Sequence, residues 1–239
     1  MMMLFKNKKL LTLSEQIADQ IRTAIISRDL KPGDKLPPEQ ELASQFQVSR
    51  PTIRDAIKLL AASKLIVTKP GAKGGHFVAE IDLNALINDI SDYISLSLSL
   101  EGMTIDEVIE VRETVELKSC SLAALRRTDE DLIRLRECLP SIDSGVSSKL
   151  FYEQDYKFHQ AIAKSTHNRM VIITIEAITL SLNKFLTHAD CPESLRKELI
   201  QQLYEIYEAI EQKNPDLAAA KMGQHLSLFM NFMPEPMNK

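Results

Sequence analysis

Apolar residues recur at three- and four-residue intervals along most of this chain, which is the spacing of one face of an α-helix. The pattern predicts a first helix over residues 14–27, with Ser14 as its N-cap. A Pro-Gly-Asp turn at residues 32–34 precedes a second helix, whose first position is predicted to be Pro38. Ser49 is expected to cap a third helix that ends near residue 63. Three short helices therefore open the chain.

The third of these helices has two distinct faces. Its apolar residues form an inward stripe, which consists of Ile53, Ala56, Ile57 and Leu60. Arg50, Arg54 and Lys58 follow one another at four-residue steps and form a separate basic stripe on the outward side. Two strand-like runs, residues 65–68 and 76–78, come next and flank a loop that contains three glycines. The sequence therefore predicts a helix-turn-helix followed by a β-hairpin.

Helical periodicity continues from residue 82 to the end of the chain. It predicts helices over residues 82–99, 104–127, 129–138, 147–165, 168–187, 193–213 and 215–232. The breaks are short and no strand pattern competes, so this part is predicted to be an all-α antiparallel bundle. The expected fold class is mainly α, with a winged helix-turn-helix domain at residues 8–80 and an all-helical domain at residues 81–233.

Charge is distributed unevenly between the two predicted domains. Residues 1–80 contain 13 Lys and Arg against 8 Asp and Glu, whereas the remaining residues contain 16 against 25. A basic first domain beside an acidic second one suits a chain that presents one end to nucleic acid. The three cysteines are irregularly spaced, and we find neither a signal peptide nor an apolar run long enough to span a bilayer. We therefore expect a cytoplasmic protein with no membrane partner.

The outward stripe of the third helix carries the chemistry needed to read DNA. The major groove admits an α-helix, and an arginine fork can bind guanine through two hydrogen bonds or clamp a phosphate. Arg50 and Arg54 are candidates for such contacts, and Thr52 for a phosphate or a thymine methyl. Glycines in the hairpin allow close approach to the DNA backbone, and Lys73 adds a charge at its tip. A solvated helix face and a purely structural hairpin are the alternative interpretation.

Residues 31–78 strongly resemble the N-terminal domain of GntR-family bacterial transcription regulators. The motifs that carry the resemblance are residues 31–39, residues 48–54 and the glycine-rich run at 71–78. The resemblance implies a DNA interface that comprises Gln40, Ser49, Arg50, Thr52, Arg54, Lys73, Gly74, Gly75 and His76. Gln40 departs from the family, which commonly has arginine after Pro-x-Glu. The operator preference of this chain is therefore expected to differ.

Several polar residues lie on apolar faces of the helices predicted for the second domain. Asp155 and His159 fall in the middle of one such face, and His225 is surrounded by apolar residues on the last helix. Arg112 lies among apolar residues, with Glu116 one turn further on. Burying such groups without partners costs on the order of several kcal/mol each, so we expect them to contact one another or a ligand. An Asp/His pair with a third imidazole suits a divalent cation, and a buried polar network is the alternative.

A second resemblance, over residues of about 84–232, is to the FCD effector domain of the FadR-type branch of GntR regulators. Its motifs are Val-Arg-Glu-Thr-Val-Glu at 111–116, Asp-Tyr-Lys-Phe-His at 155–159 and Ser-Thr-His-Asn at 165–168. The resemblance implies a divalent metal, zinc or a similar ion, held by Asp155, His159 and His225, and a small carboxylate effector at Arg112, Glu116 and Asn168. Leu203 stands where the family has its fourth ligand, a histidine. A three-ligand metal site and a metal-free pocket therefore both stay open.

The combined prediction is a DNA-binding transcription regulator, a repressor, whose operator affinity responds to a small carboxylate effector. It is expected to bind DNA as a homodimer, and two identical recognition helices imply a short inverted-repeat operator. One alternative is a constitutive dimeric DNA-binding protein whose helical domain senses nothing. Another is a metal-dependent hydrolase with a DNA-binding domain. The sequence shows no separate general base or substrate-entry motif, so we predict that the chain is not an enzyme.

Overall fold

A computed structural model describes residues 10–71, 73–141, 145–186 and 190–232. The chain divides into two units, whose boundary falls between Asp82 and Leu83. The predicted domain boundary lies two residues earlier, between residues 80 and 81. The predicted start of the first domain at residue 8 and the predicted end of the second at residue 233 lie outside the described residues.

The first unit contains the predicted three helices and β-hairpin. Its elements are α1 (Leu13–Ile26), α2 (Glu39–Phe46), α3 (Arg50–Ala62), β1 (Ile66–Lys69) and β2 (Gly75–Val78). The two strands pair antiparallel, with Ile66 opposite Val78. β1 starts one residue later than predicted, because the backbone N–H of Leu65 closes the end of α3 on the carbonyl of Leu60. β2 starts one residue earlier, because Gly75 pairs with Lys69. Apolar faces of the three helices and the hairpin enclose one core.

The start of α1 differs from the prediction, which placed the N-cap at Ser14. The cap is Thr12, whose hydroxyl accepts a hydrogen bond from the backbone N–H of Glu15 at 3.2 Å. The carboxylate of Glu15 in turn accepts one from the backbone N–H of Thr12 at 2.8 Å. This reciprocal capping box satisfies two backbone donors that a cap at Ser14 would leave without partners. The helix therefore begins at Leu13.

The N-caps of α2 and α3, the two helices of the predicted DNA-reading motif, can be compared with the predicted ones. Pro38 has extended backbone angles and is the N-cap of α2, so the helix begins one residue later than predicted, at Glu39. The prediction of Ser49 as the cap of α3 is confirmed, since its hydroxyl accepts a hydrogen bond from the backbone N–H of Thr52 at 3.4 Å. The cap fixes the first turn of α3, where the residues nearest to a DNA base would lie.

The second unit is all-helical, as predicted. Its helices are α4 (Leu83–Ser99), α5 (Ile105–Arg126), α6 (Asp129–Cys138), α7 (Ser148–Ser165), α8 (Arg169–Leu186), α9 (Glu193–Glu211) and α10 (Pro215–Phe232). Their bounds lie within two residues of the predicted ones, apart from the predicted end at residue 187, which lies outside the described residues. Two of the residues predicted as first positions, Thr104 and Ser147, are N-caps instead, because their hydroxyls accept backbone hydrogen bonds.

Packing in the second unit brings α5, α7 and α10 around a common interior. The helix α10 packs against α5 and α9, and α7 packs against α5, α6 and α8. Apolar side chains from α7, α9 and α10 form most of the core, and the largest fully buried ones include Phe151, Phe158, Ile162, Leu199, Leu203, Ile206 and Ile210. None of the helices within the described part of the chain is long and apolar enough to cross a membrane.

Candidate functional site

The outward face of α3 is accessible, because only its apolar stripe packs into the first unit. The buried residues of the stripe are Ile53, Ala56, Ile57 and Leu60. The side chains of Arg50 and Arg54 are each 56% exposed. Thr52 is half-buried, with its hydroxyl 2.8 Å from that of Ser49, and Gln40 is exposed on α2. The predicted reading residues therefore share one surface of the unit with solvent in front of the arginines.

A carboxylate that the sequence analysis did not single out joins these side chains. Glu39 accepts hydrogen bonds from Nε of Arg54 at 3.3 Å and from a terminal nitrogen of Arg54 at 2.9 Å. Its oxygens also lie 3.9 Å from a terminal nitrogen of Arg50 and 3.8 Å from Nε2 of His76. The hydrogen bond from Arg54 holds the pKa of Glu39 below its usual value. Because Glu39 and Arg54 are fifteen residues apart, no helical or strand spacing reveals the pair.

His76 and Phe77 organise the basic side chains of the hairpin. Nδ1 of His76 lies 3.0 Å from the hydroxyl of Thr68 on the opposite strand. The ammonium groups of Lys35 and Lys69 lie 5.5 and 4.9 Å from the centroid of the Phe77 ring, within the range of cation–π attraction. Lys35 and Lys69 were missing from the predicted interface. The register of the hairpin places Lys69 near Phe77, and an isolated bridge between Lys35 and Phe77 places Lys35 there as well. Periodicity does not reveal that bridge, because Lys35 lies outside both strands.

Backbone geometry in the hairpin explains two of the predicted glycines. A Cβ atom at position 74 would overlap the carbonyl oxygen of Lys69, so only glycine fits there. Gly75 has a φ of +140°, a conformation that L-residues rarely adopt. Lys73, next to this pair, is exposed. Lys73 is thus accessible beside two glycines that the fold of the hairpin itself requires.

The polar residues predicted on inward faces of the second unit meet in one buried cluster. Glu116 accepts hydrogen bonds from Nε of Arg112 at 2.8 Å and from Nδ1 of His159. Nε2 of His159 faces Oδ1 of Asp155 at 3.6 Å and a terminal nitrogen of Arg112 at 3.3 Å. Nε2 of His225 lies 3.2 Å from the same oxygen of Asp155. All five side chains are buried, and they come from α5, α7 and α10.

The charges of this cluster compensate one another at neutral pH. Burial alone would raise the pKa of Glu116, but Arg112 and His159 hold it low, and His159 with His225 does the same for Asp155. Burial would lower the pKa of His159, yet Glu116 and Asp155 raise it. Burial dominates at His225 and lowers its pKa, so this imidazole is neutral. Two cations thus face two carboxylates, and the interior carries no net charge.

Three atoms of the cluster fit a divalent metal ion. The ligand atoms of Asp155, His159 and His225 lie within 4.8 Å of one another. Oδ1 of Asp155 and Nδ1 of His225 make no hydrogen bond with any described residue, although two imidazoles approach that oxygen. One carboxylate oxygen and two imidazole nitrogens suit zinc and leave one position open. Glu116 accepts from the far nitrogen of His159, so a metal ion that displaces the proton from Nε2 would leave the tautomer that presents Nε2 to the metal.

Two other predicted positions have structural surroundings of their own. Leu203 is fully buried in the apolar core of the second unit, so α9 offers no donor there. Within the described residues, no fourth histidine, cysteine or carboxylate joins the three-residue group. The side-chain oxygen of Asn168 accepts hydrogen bonds from the backbone N–H groups of Met170 at 3.0 Å and Val171 at 3.5 Å, at the start of α8. A contact between Asn168 and an effector stays a prediction.

Arg112 borders two cavities of the second unit. The smaller one has a volume of about 20 Å³, and its polar lining consists of Arg112, Tyr152, Asp155, Tyr156, Thr179 and Asn183. The larger one has a volume of about 270 Å³ between α5 and α10, and Arg112 and Glu113 are its charged residues. The smaller cavity has room for about one water molecule. A larger ligand that reaches Asp155 therefore requires the smaller cavity to widen or to join the larger one.

Comparison with known proteins places both units in described families. Residues 13–78 match the gntR family of bacterial regulatory proteins, and residues 107–228 match the FCD domain. The chain is 33% identical over 205 residues to the HTH-type transcriptional regulator LutR of Bacillus subtilis (strain 168), covering 83% of this chain and 91% of that protein. It is 26% identical over 225 residues to the Glc operon transcriptional activator of Escherichia coli (strain K12), covering 90% and 86%.

A solved structure leads to the same family. The structure of Streptococcus agalactiae GntR matches with a TM-score of 0.61 at 25% identity, covering 91% of this chain and 99% of that one. The predicted fold class is therefore confirmed, with a DNA-binding domain first and a helical domain second. The relatives are transcription regulators and not enzymes, which confirms that prediction as well. This chain is a member of the GntR family of bacterial transcription regulators, and its second domain is an FCD domain.

Proposed function

We propose that this protein is a homodimeric, effector-responsive repressor that binds an inverted-repeat operator. The first turns of α3 enter the major groove, where Arg50 and Arg54 contact base edges or phosphates and Thr52 contacts a phosphate or a thymine methyl. The exposure of these side chains on a helix whose opposite face is packed supports this docking. A twofold dimer presents two such helices, which accounts for the inverted repeat. Access to chromosomal DNA places the protein in the cytoplasm.

The wing supplies a second set of DNA contacts in this proposal. Lys73, Gly74, Gly75 and His76 approach the sugar–phosphate backbone beside the site that α3 reads. Support comes from the exposure of Lys73 at the tip of the hairpin. Gln40 offers a neutral amide in place of a guanidinium. Compared with an arginine, Gln40 either makes one phosphate contact fewer or prefers a different base.

Sensing is assigned to the buried cluster of the second domain. Asp155, His159 and His225 would hold a divalent ion such as zinc through Oδ1 and two Nε2 atoms. When bound, such an ion supplies a Lewis-acidic position that accepts a carboxylate oxygen. The observation that carries this proposal is the group of five buried titratable side chains around an oxygen that lacks a hydrogen bond. A bundle that only dimerised would gain nothing from them.

Arg112 points to an anionic effector. Its guanidinium donates to Glu116 and lies 3.3 Å from Nε2 of His159, and Arg112 borders both cavities. A carboxylate that binds the guanidinium fork competes with Glu116 and draws Arg112 away from Nε2 of His159. The remaining side chains of the cluster then rearrange between α5 and α7. A changed packing of these helices shifts the population between dimers that bind DNA and dimers that do not. The cavity sizes favour a short-chain acid.

Operator binding in the presence of short-chain carboxylates tests the sensing proposal. The full-length dimer is titrated with operator DNA, with and without zinc, against acetate, glycolate, lactate and citrate. At least one acid is expected to change operator affinity about fivefold or more. R112K keeps a positive charge but loses the planar fork, so it should lose the response. R134K is the matched control, because Arg134 is 53% exposed on α6, and it should respond like the wild type.

The smaller of the two cavities favours a second candidate, a constitutive DNA-binding dimer whose helical domain senses nothing. A space of about 20 Å³ cannot admit a metabolite without movement of the helices. In that case operator affinity would be the same with every acid in the panel. Native mass spectrometry of the purified dimer would then detect neither metal nor metabolite. A dimer that carries either one, together with an acid-dependent affinity, contradicts this candidate.

A further inference from the structure

We propose that Glu39 is a positioning residue of the DNA interface and sets how strongly the protein prefers its operator to other DNA. The proposal rests on the DNA contacts proposed above for Arg50 and Arg54. It adds a residue whose own charge is repelled by DNA and whose role is exerted through Arg54. Glu39 lies at the first position of α2, and its carboxylate contacts side chains of α3 and β2. Three elements of the reading surface therefore meet at one anion.

The contact with Arg54 fixes the direction of the guanidinium. Hydrogen bonds to both Nε and a terminal nitrogen define the plane of the group, which a single bond would leave free to rotate. An arginine fork has five donors, so three stay available after these two are used. The side chain of Glu39 is only 19% exposed, whereas that of Arg54 is 56% exposed. The carboxylate is thus held behind the guanidinium, and the free donors of Arg54 face solvent.

The charge of Glu39 acts against non-specific binding. Affinity for arbitrary DNA comes mainly from cations that neutralise phosphates and release counterions. Glu39 compensates part of the charge of Arg54 and lies near Arg50 and His76, so the surface gains less from phosphates alone. In an operator complex, base contacts from the oriented donors of Arg54 offset the binding free energy that the phosphate contacts no longer supply. Preference for the operator is the ratio of the operator affinity to the affinity for arbitrary DNA. The carboxylate raises this ratio because it supports the first affinity and lowers the second.

Glu39 also connects the recognition helix to the wing. Nε2 of His76 lies 3.8 Å from the carboxylate, and Nδ1 of the same ring lies 3.0 Å from the hydroxyl of Thr68. The imidazole is therefore held between the opposite strand and α2. This arrangement sets the position of the hairpin relative to α3, so helix and wing contacts are made in one register on the DNA. No other acidic residue within the described part of the chain forms an ion pair with either Arg50 or Arg54 in the structure.

The test compares E39Q with E41Q, which removes the same charge from the same helix. Glu41 is exposed, and its carboxylate accepts a hydrogen bond from the side-chain amide of Gln45. The full-length dimer is titrated over a salt series with an operator selected by the wild type and with a scrambled duplex of equal length. For E39Q we expect tighter binding to the scrambled duplex, a salt slope steeper by about one, and a specificity ratio that falls about tenfold or more. E41Q should keep the ratio within about twofold.

Two further variants make each failure distinguishable. E39A removes the acceptor as well as the charge, so its specificity ratio should fall at least as far as that of E39Q. R54A should lose operator preference whatever the role of Glu39. If R54A loses preference while E39Q keeps the wild-type ratio, the positioning role is overturned and the assignment of Arg54 stands. If E39Q loses operator affinity without any gain on scrambled DNA, the charge of Glu39 does not oppose non-specific binding and the proposal is also overturned. If R54A binds like the wild type, the recognition-helix assignment itself fails.

Discussion

The two units of this protein use the same three side-chain types in opposite settings. On the first unit, a carboxylate, Glu39, contacts an arginine and a histidine at the surface, and Arg54 is 56% exposed. In the second unit, Glu116 also contacts an arginine and a histidine, but Arg112 is only 8% exposed. The first group keeps donors free for an incoming ligand. The second has most of its donors and acceptors directed at one another.

The difference teaches what each group can do. An exposed ion pair contributes about 0–1 kcal/mol to folding, so its members are free to serve DNA binding without endangering the fold. A buried charge requires compensation, so a ligand that takes one partner must satisfy the group left behind. Binding in the second unit is therefore coupled to the packing of its helices. Surface charges suit recognition, and a buried cluster suits a switch.

The largest effect on the free energy of unfolding is expected when the buried carboxylate of Glu116 is removed. E116A leaves the cations of Arg112 and His159 without their shared partner, which should lower the free energy of unfolding by about 3–5 kcal/mol. E39A makes the matching change at the surface and should lower it by less than about 1 kcal/mol. Urea unfolding followed by far-UV circular dichroism measures both. Equal losses in the two variants would show that burial does not distinguish the two groups.

A smaller effect is expected when the missing histidine is restored at position 203. L203H places an imidazole in an apolar core, which should lower the free energy of unfolding by about 1–3 kcal/mol without metal. Zinc should recover about 2.7 kcal/mol at a concentration one hundred times its dissociation constant. L199H buries the same group on the same helix but adds no fourth ligand, so zinc should stabilise it only as much as it stabilises the wild type. If zinc stabilises L203H no more than L199H in thermal unfolding, residue 203 does not lie beside the metal site.

Periodicity predicted most of the fold because each helix buries one face against a core. All ten helices of the described chain were predicted, and the buried cluster was found from polar residues such as Asp155 and His159 on apolar stripes. The predicted N-cap of α1, Ser14, was wrong because both Thr12 and Ser14 are residue types that can cap a helix. What decided between them was Glu15, which lies three residues after Thr12 and completes the capping box.

The partners of the predicted residues were less accessible from the sequence. Glu39 reaches Arg54 only because the turn between α2 and α3 brings the start of one helix beside the other. Asp131 on α6 likewise contacts His167, which lies thirty-six residues away in the turn between α7 and α8. Such pairs follow from tertiary packing and leave no periodic trace. The sequence therefore indicates which side chains are placed for function more readily than it indicates what they contact.

The smallest expected effect concerns Asp131, a buried carboxylate whose main partners are local. Its oxygens accept hydrogen bonds from the backbone N–H of Thr128 at 2.9 Å and face Nε2 of His167 at 2.8 Å. Burial raises the pKa of Asp131, but Thr128 and His167 lower it more, so it lies below its ordinary value of 3.8. The stabilisation is then complete above pH 3.8 and is lost as the pH falls through the lowered value.

D131N should therefore lower the free energy of unfolding by about 1 kcal/mol between pH 5 and pH 7. The difference from the wild type should shrink below pH 4, because the wild-type carboxylate becomes neutral as well. D129N is the control, since Asp129 lies in the same first turn of α6 but is 98% exposed, and it should change little at any pH. Urea titrations at each pH measure all three proteins. A D131N difference that persists undiminished at pH 3 would mean that the charge of Asp131 does not stabilise the fold. Asp131 could then not be ranked by charge with the exposed Glu39 and the buried Glu116.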